Sequence, residues 1–521
     1  MGHGPVRIED LLVRSAERFP AKTFLVEGNR RISFVELDRL SNQYGRFLAS
    51  QSVRRGDRVV IFLDNGIDAV AALFGTLRIG AIFSLVNPLT KGPKLKFIID
   101  SLGALIVMTQ VKHRPLAEFA IAGNQSGCRV FVVDEQGDQI SGSFSAMPGQ
   151  FPGDGLPPGG IDQDLAYVAF TSGSTGVPKG VMMTHQSSVA GATAISQYLE
   201  NTESDIVLSV IPMAFDYGLY QIIIAALVGA TVVLEKSFAF PQVVLQKLAA
   251  EKATGLPLVP TTISLLLQQR SIKPNQFPHV RYITNTAAPL PPAHSARLQE
   301  LFPGTRIFSN YGLTETIRST YLLPERLKDK PTSVGKAAPN GEAFVVDEAG
   351  NRVGPGIVGE LVLRGSSLFK GYWNNPEATE AVLKPGVNPW EKAFHTGDLF
   401  YADDEGDLFF VGRKDDMIKS RGEKVSPKEV ENTLYGLPGI QEAAVIGIPD
   451  PILGQAIKAV VVAAPDANLT ARDIKAHCLK FLEDYMVPQI VEFAAEIPKT
   501  ESGKIKRREL RSEASTTGAG G

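Results

Sequence analysis

Ten consecutive residues, Thr171-Ser172-Gly173-Ser174-Thr175-Gly176-Val177-Pro178-Lys179-Gly180, gather hydroxyl side chains, glycines and one lysine. Glycine lets backbone N–H groups converge without an obstructing Cβ, and the hydroxyls and Lys179 add donors and charge. That combination makes a cradle for phosphate. It is not the common P-loop, because Pro178 stands where G-x-x-x-x-G-K-[ST] needs its second glycine. A Ser/Gly stretch on its own reads as a solvated turn. Four further groups downstream favour the cradle. They are Tyr311-Gly-Leu-Thr314-Glu315, His395-Thr-Gly-Asp398, Gly412-Arg413-Lys414-Asp415 and Pro498-Lys-Thr-Glu-Ser-Gly-Lys504. Each has a plain reading as well. Glu315 alone is a solvated charge, and Asp415 alone is a turn residue. Lys504 lies in a basic run with Lys499, Lys506, Arg507 and Arg508 that could be an exposed face. His185 and His395 read as packing or capping residues beside a site.

These residues need a scaffold, and the hydrophobic pattern supplies one. The apolar run 165–170 reads as a buried strand leading into the cradle. Runs 58–63, 81–86, 104–108 and 128–133 read as strands, with a helical pattern over 67–79. Strands alternating with helices predict parallel sheets covered on both faces. The segment 222–234 is too short to span a bilayer and contains Gly229, so it reads as a helix end, a turn and a strand. Residues 146–164 are rich in Pro, Gly and Asp and read as a surface loop. Beyond about 340 the texture turns to strand and turn, which predicts a smaller β-rich subdomain. From about 416 a compact α+β unit follows, with strands over 443–447 and 459–463 and a helix over 471–482 capped by Thr470. The expected class is α/β. A large N-terminal lobe over 1–414 carries parallel sheets and the β-rich subdomain, and a small mobile C-terminal domain spans 415–521.

Composition narrows the function. The 521 residues carry 53 Lys and Arg against 55 Asp and Glu, a net charge of −2. No basic face is demanded, so nucleic acid is not an expected partner. The two cysteines, Cys128 and Cys478, are far apart and form no metal spacing, which fits a reduced, cytoplasmic setting. The N-terminus has no basic segment followed by an apolar one, so neither a signal peptide nor a membrane is expected.

In order and spacing the five groups closely resemble the adenylate-forming (AMP-forming) superfamily, which holds acyl-CoA synthetases and stand-alone adenylation enzymes of the nonribosomal-peptide type. The resemblance covers about residues 10–510. It implies ATP and Mg²⁺ as cofactors and a carboxylic acid as substrate. The acid would attack the α-phosphate and leave as an acyl-adenylate. Two anions must then approach each other, so cations and amide dipoles must screen them. The resemblance implies that Thr171, Ser172, Gly173, Ser174, Thr175, Gly176 and Lys179 hold the phosphates. Glu315 would ligate Mg²⁺, Thr314 would bond the α-phosphate, and Tyr311 would stack on adenine. Asp398 would accept both ribose hydroxyls, and Arg413 would assist there. Lys504 would bridge the acid and the nucleotide, and Asp415 would be the hinge on which the last domain swings. That swing would exchange Lys504 for the loop 420–424 and admit a pantetheine thiol.

The acid itself is read from Phe215-Asp216-Tyr217-Gly-Leu-Tyr220. A pocket carboxylate at Asp216 suggests a cationic substrate such as an amino acid, with Tyr217 and Tyr220 lining the pocket. Asp216 could instead cap a helix starting near Tyr217. The spelling Pro498-Lys-Thr-Glu-Ser-Gly-Lys504 leans toward acyl-CoA synthetases. The expected enzyme is a ligase that activates a small carboxylic acid, preferably an amino acid, and loads the pantetheine of a carrier protein. The alternative is an acyl-CoA synthetase using a non-amino acid and free CoA. A non-catalytic nucleotide sensor and a P-loop NTPase are the remaining options. The oligomeric state is not readable.

Overall fold

Apolar strands alternating with helices build two large sheets, each with helices packed on both faces. The computed structural model describes residues 7–124, 126–133, 150–172, 178–269, 271–288, 290–386, 388, 390–421, 423–450, 452–500 and 504–517. In one sheet the strands Arg58–Phe62, Ile82–Leu85, Ile106–Gln110, Arg129–Val133 and Leu165–Ser172 run parallel. Pro178–Thr184 then returns antiparallel along Leu165–Ser172, so Ser172 and Pro178, which flank residues 173–177, pair with each other. In the other sheet Thr23–Glu27, Thr231–Leu234, Ile206–Ser209, Gly255–Leu258, Tyr282–Asn285 and Arg306–Tyr311 run parallel. Every residue of Thr231–Leu234, Gly255–Leu258 and Tyr282–Asn285 is buried, as a parallel sheet covered on both faces requires. The helix Asp216–Val228 stops at Gly229, whose φ of 85° lets the chain turn into Thr231–Leu234. The segment 222–234 is therefore the helix end, turn and strand expected of it.

The β-rich part is not a separate sheet. Arg306–Tyr311 pairs antiparallel with Thr320–Tyr321, which leads through Ser333–Ala337 to Leu408–Arg413, Lys392–Ala402, Gly359–Gly365 and Gly341–Val346. Local periodicity reports strands but not their partners, so the continuity was invisible in the pattern. Its consequence is positional. Tyr311 ends the last parallel strand, where the sheet changes sense, and Asp398 pairs with Arg413 across two neighbouring strands.

The C-terminal part carries its own sheet, with Ile440–Asp450 antiparallel to Gly454–Ala463 and Ile490–Phe493 parallel to the latter. Helices Pro427–Tyr435 and Ala471–Phe481 pack on it around Val430, Leu434, Val445, Ile457 and Ile474. Thr470 caps the second helix by accepting from the Asp473 amide. Among the described residues no helix is long and apolar enough to cross a membrane.

Candidate active site

The turn after strand Arg306–Tyr311 sets the first group of side chains. A Cβ on Gly312 would lie 2.2 Å from the Ile317 carbonyl oxygen, so only glycine fits there. The turn brings Thr314 and Glu315 back beside the strand end. Thr314 Oγ1 donates to Asp216 Oδ1 at 3.4 Å, and Glu315 Oε1 accepts from the Tyr372 hydroxyl at 2.8 Å. Gly397, at φ 72°, turns the chain just before Asp398. Tyr311 donates its hydroxyl to Asp398 Oδ2 at 2.7 Å, and Arg413 Nε lies 3.4 Å from Oδ1. Oδ1 has no hydrogen bond among the described residues, so it keeps accepting capacity. Asp398 is only 4% exposed. Burial pushes its carboxyl above the usual range, against the pull of Arg413, the Tyr311 hydroxyl and Lys504.

Asp216 is the first residue of helix Asp216–Val228, and Phe215 occupies the capping position without a side-chain bond. The capping alternative for Asp216 therefore does not hold. Loss of water raises its pKa, opposed by Lys504 and Arg318 and helped by Glu315. Tyr217 is buried and donates to the Thr284 carbonyl at 2.8 Å, with Arg318 lying 4.7 Å above its ring. Tyr220 departs from expectation. It is fully buried, its hydroxyl 3.4 Å from that of Tyr167, and it does not line the cavity described next. This helix is apolar on nearly all sides, so its pattern could not say which face meets the site.

One cavity of about 1430 Å³ joins these groups. Thr171, Asp216, Tyr217, Tyr311, Thr314, Asp398 and Arg413 line it, and Asp415 and Lys504 face it from the C-terminal side. Glu315 and Lys179 are not in its wall. They flank Tyr372, with Lys179 Nζ 5.0 Å from that ring. The Ser172 backbone pairs with Pro178. Gly173, Ser174, Thr175 and Gly176 lie outside the described residues. Neither His185 nor His395 lines the cavity. His185 is buried, accepts from the Ile8 amide at 3.2 Å and is pushed down to about 4 by burial.

Three features in or beside the cavity escaped the sequence. Tyr372 was unmarked because nothing in Gly371-Tyr372-Trp373 hints at a partner for Glu315. Ala287 and Ile317 line the cavity with φ of 74° and 67°, values that neither residue type favours. Asn310 was passed over because it sits one residue before Tyr311 within a strand.

The donor set can be tested for a metal. Among the described residues no three His, Cys, Asp or Glu side chains cluster as metal ligands. One carboxylate, Glu315, beside a hydroxyl, Thr314, suits an Mg²⁺ that arrives on substrate phosphates, since this ion is usually held by one or two carboxylates plus phosphate oxygens.

Residues 12–373 match the family described as AMP-binding enzyme, and residues 429–504 match the AMP-binding enzyme C-terminal domain. A sulfoacetate–CoA ligase from Cupriavidus necator is 32% identical over 97% of this chain and 97% of its own length. A long-chain-fatty-acid–CoA ligase from Escherichia coli O157:H7 is 29% identical over 97% of this chain and 94% of its own. The crystal structure of the anthranilate CoA ligase AuaEII in complex with anthranoyl-AMP superposes with a TM-score of 0.91, at 28% identity over 99% of both chains.

Proposed function

The chain belongs to the AMP-binding enzyme family, and from that premise we propose that it joins a non-amino carboxylic acid to free CoA through an acyl-adenylate. The single observation that carries the reading is the shared cavity. It sets Asp216, Thr314, Asp398 and Arg413 opposite Lys504 from the C-terminal part. The relatives, named as CoA ligases along nearly their whole length, support CoA as acceptor over a carrier protein.

In the first half-reaction the acid's carboxylate oxygen attacks the α-phosphorus of ATP, and the bond to pyrophosphate breaks. Both partners are anions, so Lys504 serves as the cation that screens their approach. Thr314 bonds the α-phosphate, and Thr171, Ser172 and Lys179, with the cradle residues 173–176, bind the leaving pyrophosphate. Asp398 accepts the ribose hydroxyls, a role supported by its open Oδ1. Arg413 sits beside it, and Tyr311 packs toward the base. Glu315 would hold an Mg²⁺ arriving with ATP, which would supply charge neutralisation at the phosphates. In the second half-reaction a pantetheine thiol attacks the acyl carbon and AMP leaves with the electron pair. For that step residues 415–521 swing about Asp415 and withdraw Lys504. The second family match, beginning at residue 429 and ending at residue 504, supports a division near Asp415.

Asp216 is the one observation that favours the amino-acid reading, because a desolvated carboxylate in the cavity wall gains from a cationic partner. The test is product analysis. Purified protein, ATP and Mg²⁺ are incubated with a panel of acids and amino acids and with either CoA or a pantetheinylated carrier protein. Acyl-CoA and AMP from non-amino acids are expected. Aminoacylated carrier with no acyl-CoA would transfer the assignment to the second reading.

A further inference from the structure

Asn310 is 4% exposed, yet neither its Nδ2 nor its Oδ1 has a hydrogen-bond partner among the described residues, and it lines the cavity. A buried carboxamide with both ends unmet is costly, and native interiors seldom leave one without a reason. Its surroundings extend the point. Asn310 pairs across the ladder with Tyr321, which places both side chains on one face of the sheet. Tyr321 stacks on Tyr198 with ring centroids 4.2 Å apart. The Tyr198 hydroxyl neighbours Arg318, whose guanidinium covers the Tyr217 ring. Arg318 is itself 4% exposed and makes no salt bridge within 4 Å among the described residues. Of these side chains Asn310 and Tyr217 line the cavity, and Arg318, Tyr198 and Tyr321 pack behind them. A pocket meant for a hydrocarbon chain has no use for an unmet carboxamide in its wall.

We infer that the acid pocket selects a compact carboxylic acid bearing a second polar group, a hydroxyl or carbonyl, which Asn310 reads by hydrogen bonding, and that it rejects the plain alkyl or aryl acid of the same size. The inference rests on the acid–CoA ligase reading and adds the substrate class to it. Asn310 acts as a specificity residue in contact with substrate, and Arg318 positions that wall through Tyr217 and Tyr198. Alternation along strand Arg306–Tyr311 sends the side chains of Asn310 and Tyr311 to opposite faces, so one residue can read the acid while the next faces Asp398. A polar tail completes the carboxamide's bonds, whereas an alkyl tail buries it unmet, the asymmetry by which polar sites reject apolar analogues.

The experiment compares matched acids in wild type and in Asn310→Leu, using CoA-dependent AMP release and acyl-CoA mass. The pairs are hexanoate with 5-oxohexanoate, and benzoate with 3- and 4-hydroxybenzoate. Wild type should prefer the polar member of at least one scaffold by roughly a hundredfold in kcat/KM. Asn310→Leu should lower kcat/KM for that acid, raise it for its apolar partner and so collapse the ratio, with an unchanged melting temperature. If Asn310→Leu does not fold, the same ratio is read in Asn310→Ala. Equal use of both members by wild type, or a ratio that survives the substitution in folded protein, overturns the inference and leaves the ligase reading standing. No AMP release with any acid overturns both.

Discussion

Glu9 and Asp216 are both carboxylates held away from water, and burial lifts both above the usual range, Glu9 to about 7. Their counter-charges differ in origin. Glu9 has a fixed cation, with Arg7 Nη1 3.0 Å from Oε1, and a neutral neighbour in His185, whose Nδ1 lies 3.4 Å from Oε2 and accepts from the Ile8 amide. Together they fasten the helix Ile8–Arg18 to the helix His185–Leu199, and neither lines the cavity. Asp216 faces the cavity, and one of the two cations acting on it, Lys504, is exposed and belongs to the C-terminal part. The same physics therefore gives architecture where the partner is fixed and, on the mechanism proposed above, chemistry where the partner belongs to the C-terminal part.

Removing Lys504 gives the largest expected effect. Lys504→Ala should lower acyl-adenylate formation by about 10²–10³-fold, the loss typical of one preorganised electrostatic donor. Thioester formation from supplied acyl-AMP should continue, because the proposed mechanism withdraws Lys504 for that step. Pyrophosphate exchange and thiol transfer from synthetic acyl-AMP measure the two halves. Equal loss in both would make Lys504 a structural residue and erase the contrast with Glu9.

The fixed pair yields a pH prediction. The Glu9 carboxyl binds its proton more tightly folded than unfolded, so the native state holds the extra proton between about pH 4.5 and 7. Stability attributable to Glu9 therefore falls as pH rises through that window, by about 3 kcal/mol in all. His185 does the reverse. Its folded value of about 4 lies below its ordinary 6.5, so its contribution rises with pH from 4 to 6.5. The two slopes oppose each other over most of the same window, within a shell that includes Arg7, Arg78, Asp10, Asp162 and Asp164. Denaturant midpoints in wild type should vary little with pH from 4.5 to 6.5. His185→Gln should lose stability steadily as pH rises, and Glu9→Gln should gain it. Variants whose profiles run parallel to wild type would remove the pairing.

Sequence alone carried the alternating architecture and the gathering of Tyr311, Thr314, Asp398, Arg413 and Lys504 at one cavity, since short buried strands and glycine turns leave local signatures. Gly312 and Gly397 stand where backbone geometry demands them. Long-range pairing left no such trace. The merger of the β-rich part into the second parallel sheet, the Tyr372 bond to Glu315 and the orphaned Asn310 all depend on residues far apart in the chain. The helix Asp216–Val228 taught the sharpest lesson. Being apolar all round, it hid the fact that Tyr217 borders the cavity while Tyr220 is core.

Asp216→Ala sharpens the comparison at the cavity. With a non-amino acid as substrate, Asp216 acts on Thr314 and Lys504, so truncation should lower kcat/KM about tenfold for any acid, in line with one hydrogen bond to a charged group. The measurement uses two acids that differ only in an α-amine. A loss confined to the amine-bearing acid would show that Asp216 meets a substrate cation, and the amino-acid reading would replace the one proposed.

Tyr311→Phe is the smallest and most local change. The ring stays, so packing against Phe400, 5.0 Å away between centroids, is kept. Only the hydroxyl donated to Asp398 Oδ2 is lost. One hydrogen bond to a charged acceptor is worth roughly 1.5–3 kcal/mol, but Arg413 remains beside the carboxylate, so a loss just below that range, about 1–1.4 kcal/mol, is expected. The KM for ATP should rise by about fivefold to tenfold, with kcat little changed, because in the proposed mechanism Asp398 binds ribose and takes no part in bond breaking. A second readout separates this from a general loosening of the site. The Tyr311 hydroxyl holds the Asp398 carboxyl down against burial, so its removal lets that pKa climb further. Asp398 must be ionised to accept two hydroxyls, so the acid limb of kcat/KM for ATP should move to higher pH in the variant. A higher KM with an unmoved acid limb would mean that the hydroxyl positions Asp398 without tuning its charge. An unchanged KM would remove Asp398 from the nucleotide site, leaving its burial as structural as that of Glu9.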